Sequence, residues 1–219
     1  MKLIGKEVNA SMCIIFEGNL NEKIKDIVSL EGNGEIVVSK TIKVGSTFFK
    51  MQDKYYDGNG VFFNQTSENR FSLSDKSKGP QYLADSPHTA CHELYQEEKF
   101  IDHSDFETNC MAVLKVERDL RVFDETRLAP HLGIAVGDLM GPKAAYPFTQ
   151  ELAKELSQHA DGLEYLSRHT GKPCVVLWSD QIDGQGMLST ESVTPLKDFS
   201  HEGQTAKDIL KSQCGIRIL

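Results

Sequence analysis

The chain of 219 residues carries 24 Lys and Arg against 32 Asp and Glu, a formal net charge of -8, and its 39% hydrophobic and 26% charged residues are ordinary for a water-soluble globular protein. That length suits one domain with decorations, or one domain with a small appendage, and is enough to bury a sizeable core. The acidic balance and the lack of any basic run exclude a nucleic-acid surface, which needs clustered Lys and Arg; no apolar stretch reaches membrane-spanning length, and the polar start is unlike a signal peptide.

Taken in order, Met12 to Phe16 reads as a short strand. Leu20, Ile24, Ile27 and Val28 fall at helical spacing over Leu20 to Leu30, with Asn19 or Asn21 as cap. Glu31-Gly32-Asn33-Gly34 signals a turn and Glu35 to Val38 a second strand. Gly45 to Lys54 reads as a strand, Asp57-Gly58-Asn59-Gly60 as a flexible loop, and Val61 to Phe63 returns apolar. Gln81 to Ala84, bounded by Gly79-Pro80 and Asp85-Ser86, is a brief strand. Ser86-Pro87 then opens a helix, because Ser accepts orphan backbone donors and Pro fits the first helical position. Ala90, Cys91, Leu94 and Tyr95 form its apolar stripe, and Glu93 borders it. A carboxylate at the edge of a buried face is costly unless it is paired or used.

Phe100 to Asn109 is a polar, acidic connection, followed by the dense apolar run Cys110 to Val116, a central strand, and by Leu120 to Phe123. Asp124 is placed to cap the next helix, and His131 reads as a loop or surface imidazole. Phe148 to His159 is helical, with Leu152 and Leu156 on one face; Asp161-Gly162 turns into a short strand reaching Ser167, and Cys174 to Trp178 is apolar again. In the polar tail, Gly184, Gly186, Ser189, Thr190 and Ser192 mark a loop, Ala206 to Gln213 a closing helix, and Gly215 to Leu219 a last edge strand. Cys13, Cys91, Cys110, Cys174 and Cys214 are dispersed without CxxC spacing, which points to reduced thiols in a cytoplasmic protein and speaks against zinc.

Two separated segments mean more together than alone. The first holds Arg70-Phe71, Tyr82-Leu83-Ala84, Ser86, Thr89-Ala90 and Glu93; the second is Asp161-Gly162-Leu163-Glu164-Tyr165-Leu166-Ser167, ahead of Cys174 to Trp178. Singly, Arg70 suits an ion pair, Tyr82 strand packing and Glu93 a solvated helix face. In this order they resemble the RES domain, named for its Arg, Glu and Ser. The resemblance runs from Gly45 to Trp178. It leaves residues 1–44 as an N-terminal extension and gives the catalytic domain, 45–219, a C-terminal extension from about residue 180. Where similar sequences carry an aromatic-Arg pair, this chain has Phe49-Lys50, which keeps the charge without the planar fork. Similar sequences also carry an Arg two positions after the Ser; here Arg168 is next to Ser167 and His169 fills that place.

The resemblance implies an α/β (α+β) fold like that of ADP-ribosyltransferases, with a split, mostly antiparallel sheet and packed helices. It implies an enzyme that consumes NAD, cleaving the nicotinamide–ribose bond by hydrolysis or with phosphate as co-substrate; many such domains are bacterial toxins paired with an antitoxin. On that reading Glu93 is the catalytic carboxylate that stabilises an oxocarbenium-like ribose. Tyr82 stacks on the cationic nicotinamide, Arg70 and Lys50 hold phosphate, and Ser167 hydrogen-bonds the nicotinamide side or the ribose. NAD is a substrate here, so no cofactor, no metal and no Rossmann fingerprint are expected. ADP-ribosyl transfer to a macromolecule shares the first steps, and an inactive NAD-binding module is a third reading; the complete set Arg70, Tyr82, Glu93 and Ser167 favours turnover. The resemblance also implies an antitoxin with a helix-turn-helix part covering the site, with no direct contact to nucleic acid or membrane.

Overall fold

A computed structural model describes residue 16 and residues 18–96 and 98–219. Apart from Phe16, the strand expected at Met12 to Phe16 lies outside the described residues. The chain begins with α1 (Leu20–Gly32), capped by Asn19, whose side chain accepts from the N–H groups of Asn21 and Glu22. Ile24 and Ile27 bury its apolar face in the main core. The next strand, β1 (Ser39–Ile42), starts where the expected one ends. The reason is local: the Glu31 carboxylate accepts the N–H groups of Val38 and Ser39 at 2.8 and 2.7 Å, so a side chain takes the place of a ladder there.

β2 (Thr47–Gln52), β3 (Gly79–Ala84) and α2 (Pro87–Tyr95) follow as read from the sequence. The acidic connection after α2 contains structure of its own, β4 (Phe100–Ile101) and α3 (His103–Thr108). β5 (Cys110–Val116) and β6 (Leu120–Asp124) lead into α4 (Glu125–Leu132), whose first donors, Thr126 and Arg127 N–H, are accepted by Asp124. His131 therefore sits in the last turn of a helix and not in a loop. α5 (Val136–Leu139), α6 (Tyr146–Leu156), β7 (Gly162–Leu166) and β8 (Pro173–Ser179) complete the middle of the chain. Then come β9 (Leu188–Pro195), the small β10 (Ser200–His201) and β11 (Gln204–Thr205) pair, and α7 (Ala206–Asp208), which runs into a π-helical turn over Ile209–Cys214. β12 (Arg217–Ile218) pairs parallel with β4.

Eight strands form one sheet in the order β1-β6-β7-β8-β3-β2-β5-β9. Its pairs are antiparallel except β6 with β7, which the α4–α6 crossover joins in parallel. The mixed α/β architecture with a mostly antiparallel sheet and packed helices is the expected one. Two details differ from the sequence reading. β5 is next to an edge, not central, and the edge beside it is β9, the stretch read as a loop. β9 has half of its face in water and carries Glu191 and Ser192 outward, so no apolar run announces it.

Residue alternation sorts the core onto the two faces of the sheet. Along β8, Cys174, Val176 and Trp178 join the helix-covered cluster, while Val175 and Leu177 join the other with Phe48, Phe63, Leu83 and Leu114. A strand buried on both sides reads as a continuous apolar run, as this one does. β2 and β3 are bridged at one pair, Phe49↔Ala84, and part elsewhere. That divergence is the split in the sheet. At the start of β3 only Gly fits, because a Cβ on Gly79 would stand 2.4 Å from the Phe63 carbonyl carbon. Among the described residues no helix is long and apolar enough to cross a membrane.

Candidate active site

Where β2 and β3 part, a cleft of about 720 Å³ opens, lined by Lys50 from β2, Tyr82 from β3, Glu93 from α2, and Arg70, Tyr146 and Tyr165. Four of the five residues singled out in the sequence thus meet in one cavity.

The Arg70–Phe71 backbone is held from three sides. The Thr149 hydroxyl donates to the Arg70 carbonyl at 2.6 Å, Trp178 Nε1 donates to the Phe71 carbonyl at 2.9 Å, and the Phe71 N–H donates to the Tyr82 hydroxyl at 2.9 Å. Trp178 is fully buried, so its single donor needs that carbonyl. The Arg70 guanidinium donates from Nη2 to the Gly141 carbonyl at 3.2 Å and lies 5.9 Å over the Tyr146 ring. Its Nε is buried with no hydrogen-bond partner among the described residues. Fixed, planar and short of one acceptor, Arg70 is suited to an anionic ligand.

Ser86 caps α2 by accepting the Thr89 N–H, and the buried face of the helix is Pro87, Thr89, Ala90, Cys91 and Tyr95. Leu94, expected in that stripe, is instead 40% exposed at the rim of the cleft. Glu93 borders the buried face as expected. Ser167 donates to its Oε1 at 2.6 Å and the Tyr165 hydroxyl approaches Oε2 at 3.4 Å. The helix ends at Gln96 with φ 52 and ψ -110, a conformation that strains a residue other than Gly, beside the cleft.

Ser167 itself is fully buried, and its oxygen accepts the N–H groups of His169 and Thr170, both at 3.2 Å. Its proton is committed to Glu93. The structure places Ser167 behind the Glu93 carboxylate, outside the residues that line the cleft. Tyr82 is half-buried in the wall of the cleft. Burial pushes its phenol well above the usual range, and its ring meets Tyr165 edge-on at 6.3 Å. Since the hydroxyl accepts the Phe71 N–H, Tyr82→Phe leaves a buried donor unpaired. We expect it to lower stability by about 1–3 kcal/mol in urea titration, beyond any effect on activity. An unchanged midpoint would show that the bond is dispensable.

Lys50 is half-buried, donates to the Gly60 carbonyl at 3.1 Å, and has its pKa pushed down to about 8 by burial. At neutral pH it still supplies a charge facing the cleft.

Sequence reasoning missed two groups. Tyr165 is one; the strand period puts it on the face of Ser167, two residues on, and that was its signal. The other is Glu125, the first residue of α4. It is 1% exposed, its Oε2 accepts the Leu166 N–H at 2.9 Å just before Ser167, and its Oε1 has no partner among the described residues. Burial lifts its carboxyl to about 7, against the opposing pull of the nearby Arg70. Acids at a helix start are ordinary, so nothing in the sequence marks this one as buried.

The model of the RES domain family matches residues 52–195, well over half of the chain. The chain belongs to the RES domain family. Arg70 and Glu93 line the same cleft, and the fold brings Glu93 and Ser167 into direct contact. No curated protein sequence matches this RES domain chain. Among solved structures, a chain from the M. tuberculosis MbcT–MbcA toxin–antitoxin complex is similar in fold, with a TM-score of 0.60 and 15% identity over 89% of this chain and 97% of that one.

Proposed function

We propose that this RES domain protein cleaves the nicotinamide–ribose bond of NAD and acts as the toxin of a toxin–antitoxin pair. The observation that carries the reading is the Glu93–Ser167 pair, a carboxylate fixed at 2.6 Å from behind, in a cleft that also contains the cations Arg70 and Lys50. As the C–N bond breaks, its electron pair moves to the nicotinamide nitrogen and the ribose becomes oxocarbenium-like. Glu93 stabilises that positive charge, and Ser167 and Tyr165 keep the carboxylate from reorienting. A water oxygen, which releases its proton to solvent, or an anionic phosphate oxygen then bonds to the anomeric carbon. Arg70 and Lys50 suit the pyrophosphate. The fold similarity to a chain from a toxin–antitoxin complex supports a cognate antitoxin partner.

Incubation with NAD, with and without phosphate, tests this. Free nicotinamide with ADP-ribose identifies a hydrolase; ADP-ribose-1″-phosphate identifies a phosphorylase; label transferred to a protein band identifies a transferase. Intact NAD under all conditions overturns the proposal. If Lys50 touches phosphate, KM for NAD should rise as pH passes about 8, where the amine loses its proton. Lys50→Arg, which stays charged, should remove that rise. A rise of equal size in both would clear Lys50 of the role.

A further inference from the structure

His88 and His92 lie four residues apart on α2, and the fold brings Cys214, the last residue of the π-helical turn, onto the same side. One ligand atom of each lies within 4.8 Å of the others. None of the three lines the cleft. We infer that His88, His92 and Cys214 form a binding site for a divalent zinc-class cation, which fastens the helix carrying Glu93 to the C-terminal segment.

The local geometry fits. His92 Nδ1 is buried without a hydrogen-bond partner among the described residues, an arrangement that costs free energy until something binds it. The His88 and His92 rings stand edge to face with centroids 4.9 Å apart, and the Cys214 thiol donates to the His88 backbone carbonyl at 3.9 Å. Two imidazoles and a thiolate are a borderline-soft set that zinc prefers, with a fourth position open to water. Donor atoms in a tetrahedral zinc site stand about 3.5 Å apart, so closure needs roughly an ångström of side-chain movement. The dispersed cysteines concealed this site in the sequence because His88 and Cys214 are 126 residues apart.

The test uses the full chain, stripped by a chelator, kept reduced and titrated with Co²⁺. One equivalent should bind, with thiolate-to-cobalt charge transfer in the near ultraviolet and tetrahedral visible bands. Zn²⁺ should displace it and raise the melting temperature. His92→Ala and Cys214→Ser should each abolish uptake, while Cys91→Ser and Glu93→Gln should each retain one equivalent. Circular dichroism of the two ligand variants separates a lost ligand from a lost fold. Absence of stoichiometric uptake by the folded parent chain overturns the site, as does uptake unchanged in both ligand variants. Formation of a Cys91–Cys214 disulfide with no metal uptake also overturns it.

Discussion

Glu93→Gln should lower NAD turnover by roughly a hundredfold to a thousandfold, with little change in KM. The substitution keeps the shape and an acceptor for the Ser167 hydroxyl, so the α2–β7 contact survives. What is lost is a negative charge matched to a positive charge that exists mainly in the transition state, and such a loss falls on turnover more than on affinity. Ser167→Ala should cost less, because it frees the carboxylate without removing it. The measurement is steady-state nicotinamide release by purified, folded variants. Parent-level turnover by Glu93→Gln would remove Glu93 from the chemistry and the enzyme reading with it.

Glu125→Gln should flatten the dependence of stability on pH. The folded carboxyl sits at about 7 against 4.5 unfolded, so the folded state holds a proton that the unfolded chain releases. The stability tied to that proton is fully present below about 4.5 and is lost as pH rises through about 7. The size follows from the shift, about 3 kcal/mol between the two limits. Glutamine does not titrate and still offers an oxygen to the Leu166 N–H. Urea titrations at pH 5 and pH 8 should therefore show the parent losing about 2–3 kcal/mol more than the variant across that interval. Equal losses would mean that Arg70 compensates the charge fully. Because Leu166 directly precedes Ser167, ionisation of Glu125 also acts on the segment that aims Glu93.

Local chemistry made much of this visible in the sequence. Ser86-Pro87 fixed the start of α2, Asp124 capped α4, and the unbroken apolar run Cys174 to Trp178 marked a strand buried on both faces. With α2 located, the position of Glu93 at the border of its buried face followed. What stayed hidden was decided by partners distant in the chain. β9 is a strand because β5 offers it a ladder, not because its own residues demand one. Leu94 looked like core by helical spacing but faces the cleft, where no packing partner closes over it. The role of Ser167 depends on a carboxylate 74 residues away, and the burial of Glu125 on the elements packed around α4. Periodicity reports which face is apolar; it does not report what that face meets.

The first strand of the sheet has a consequence for how the molecule avoids its own copies. An open sheet has two margins, and a margin with unpaired amides and carbonyls is a template for fibrillar growth. In β6, Leu120, Val122 and Phe123 are fully buried. The four residues of β1 occupy its outer side from Ile42↔Leu120 to Ser39↔Phe123. β1 is a poor template in turn: it is short, and Lys40 and the following Lys43 are drawn into pairs with Glu164 and Asp119. A chain trimmed to the family-matched residues 52–195 would expose the β6 edge and should aggregate, although every residue of the cleft beyond β2 would be intact. The segment before the matched region thus protects solubility from the far side of the sheet, across β7, β8 and β3 from the cleft.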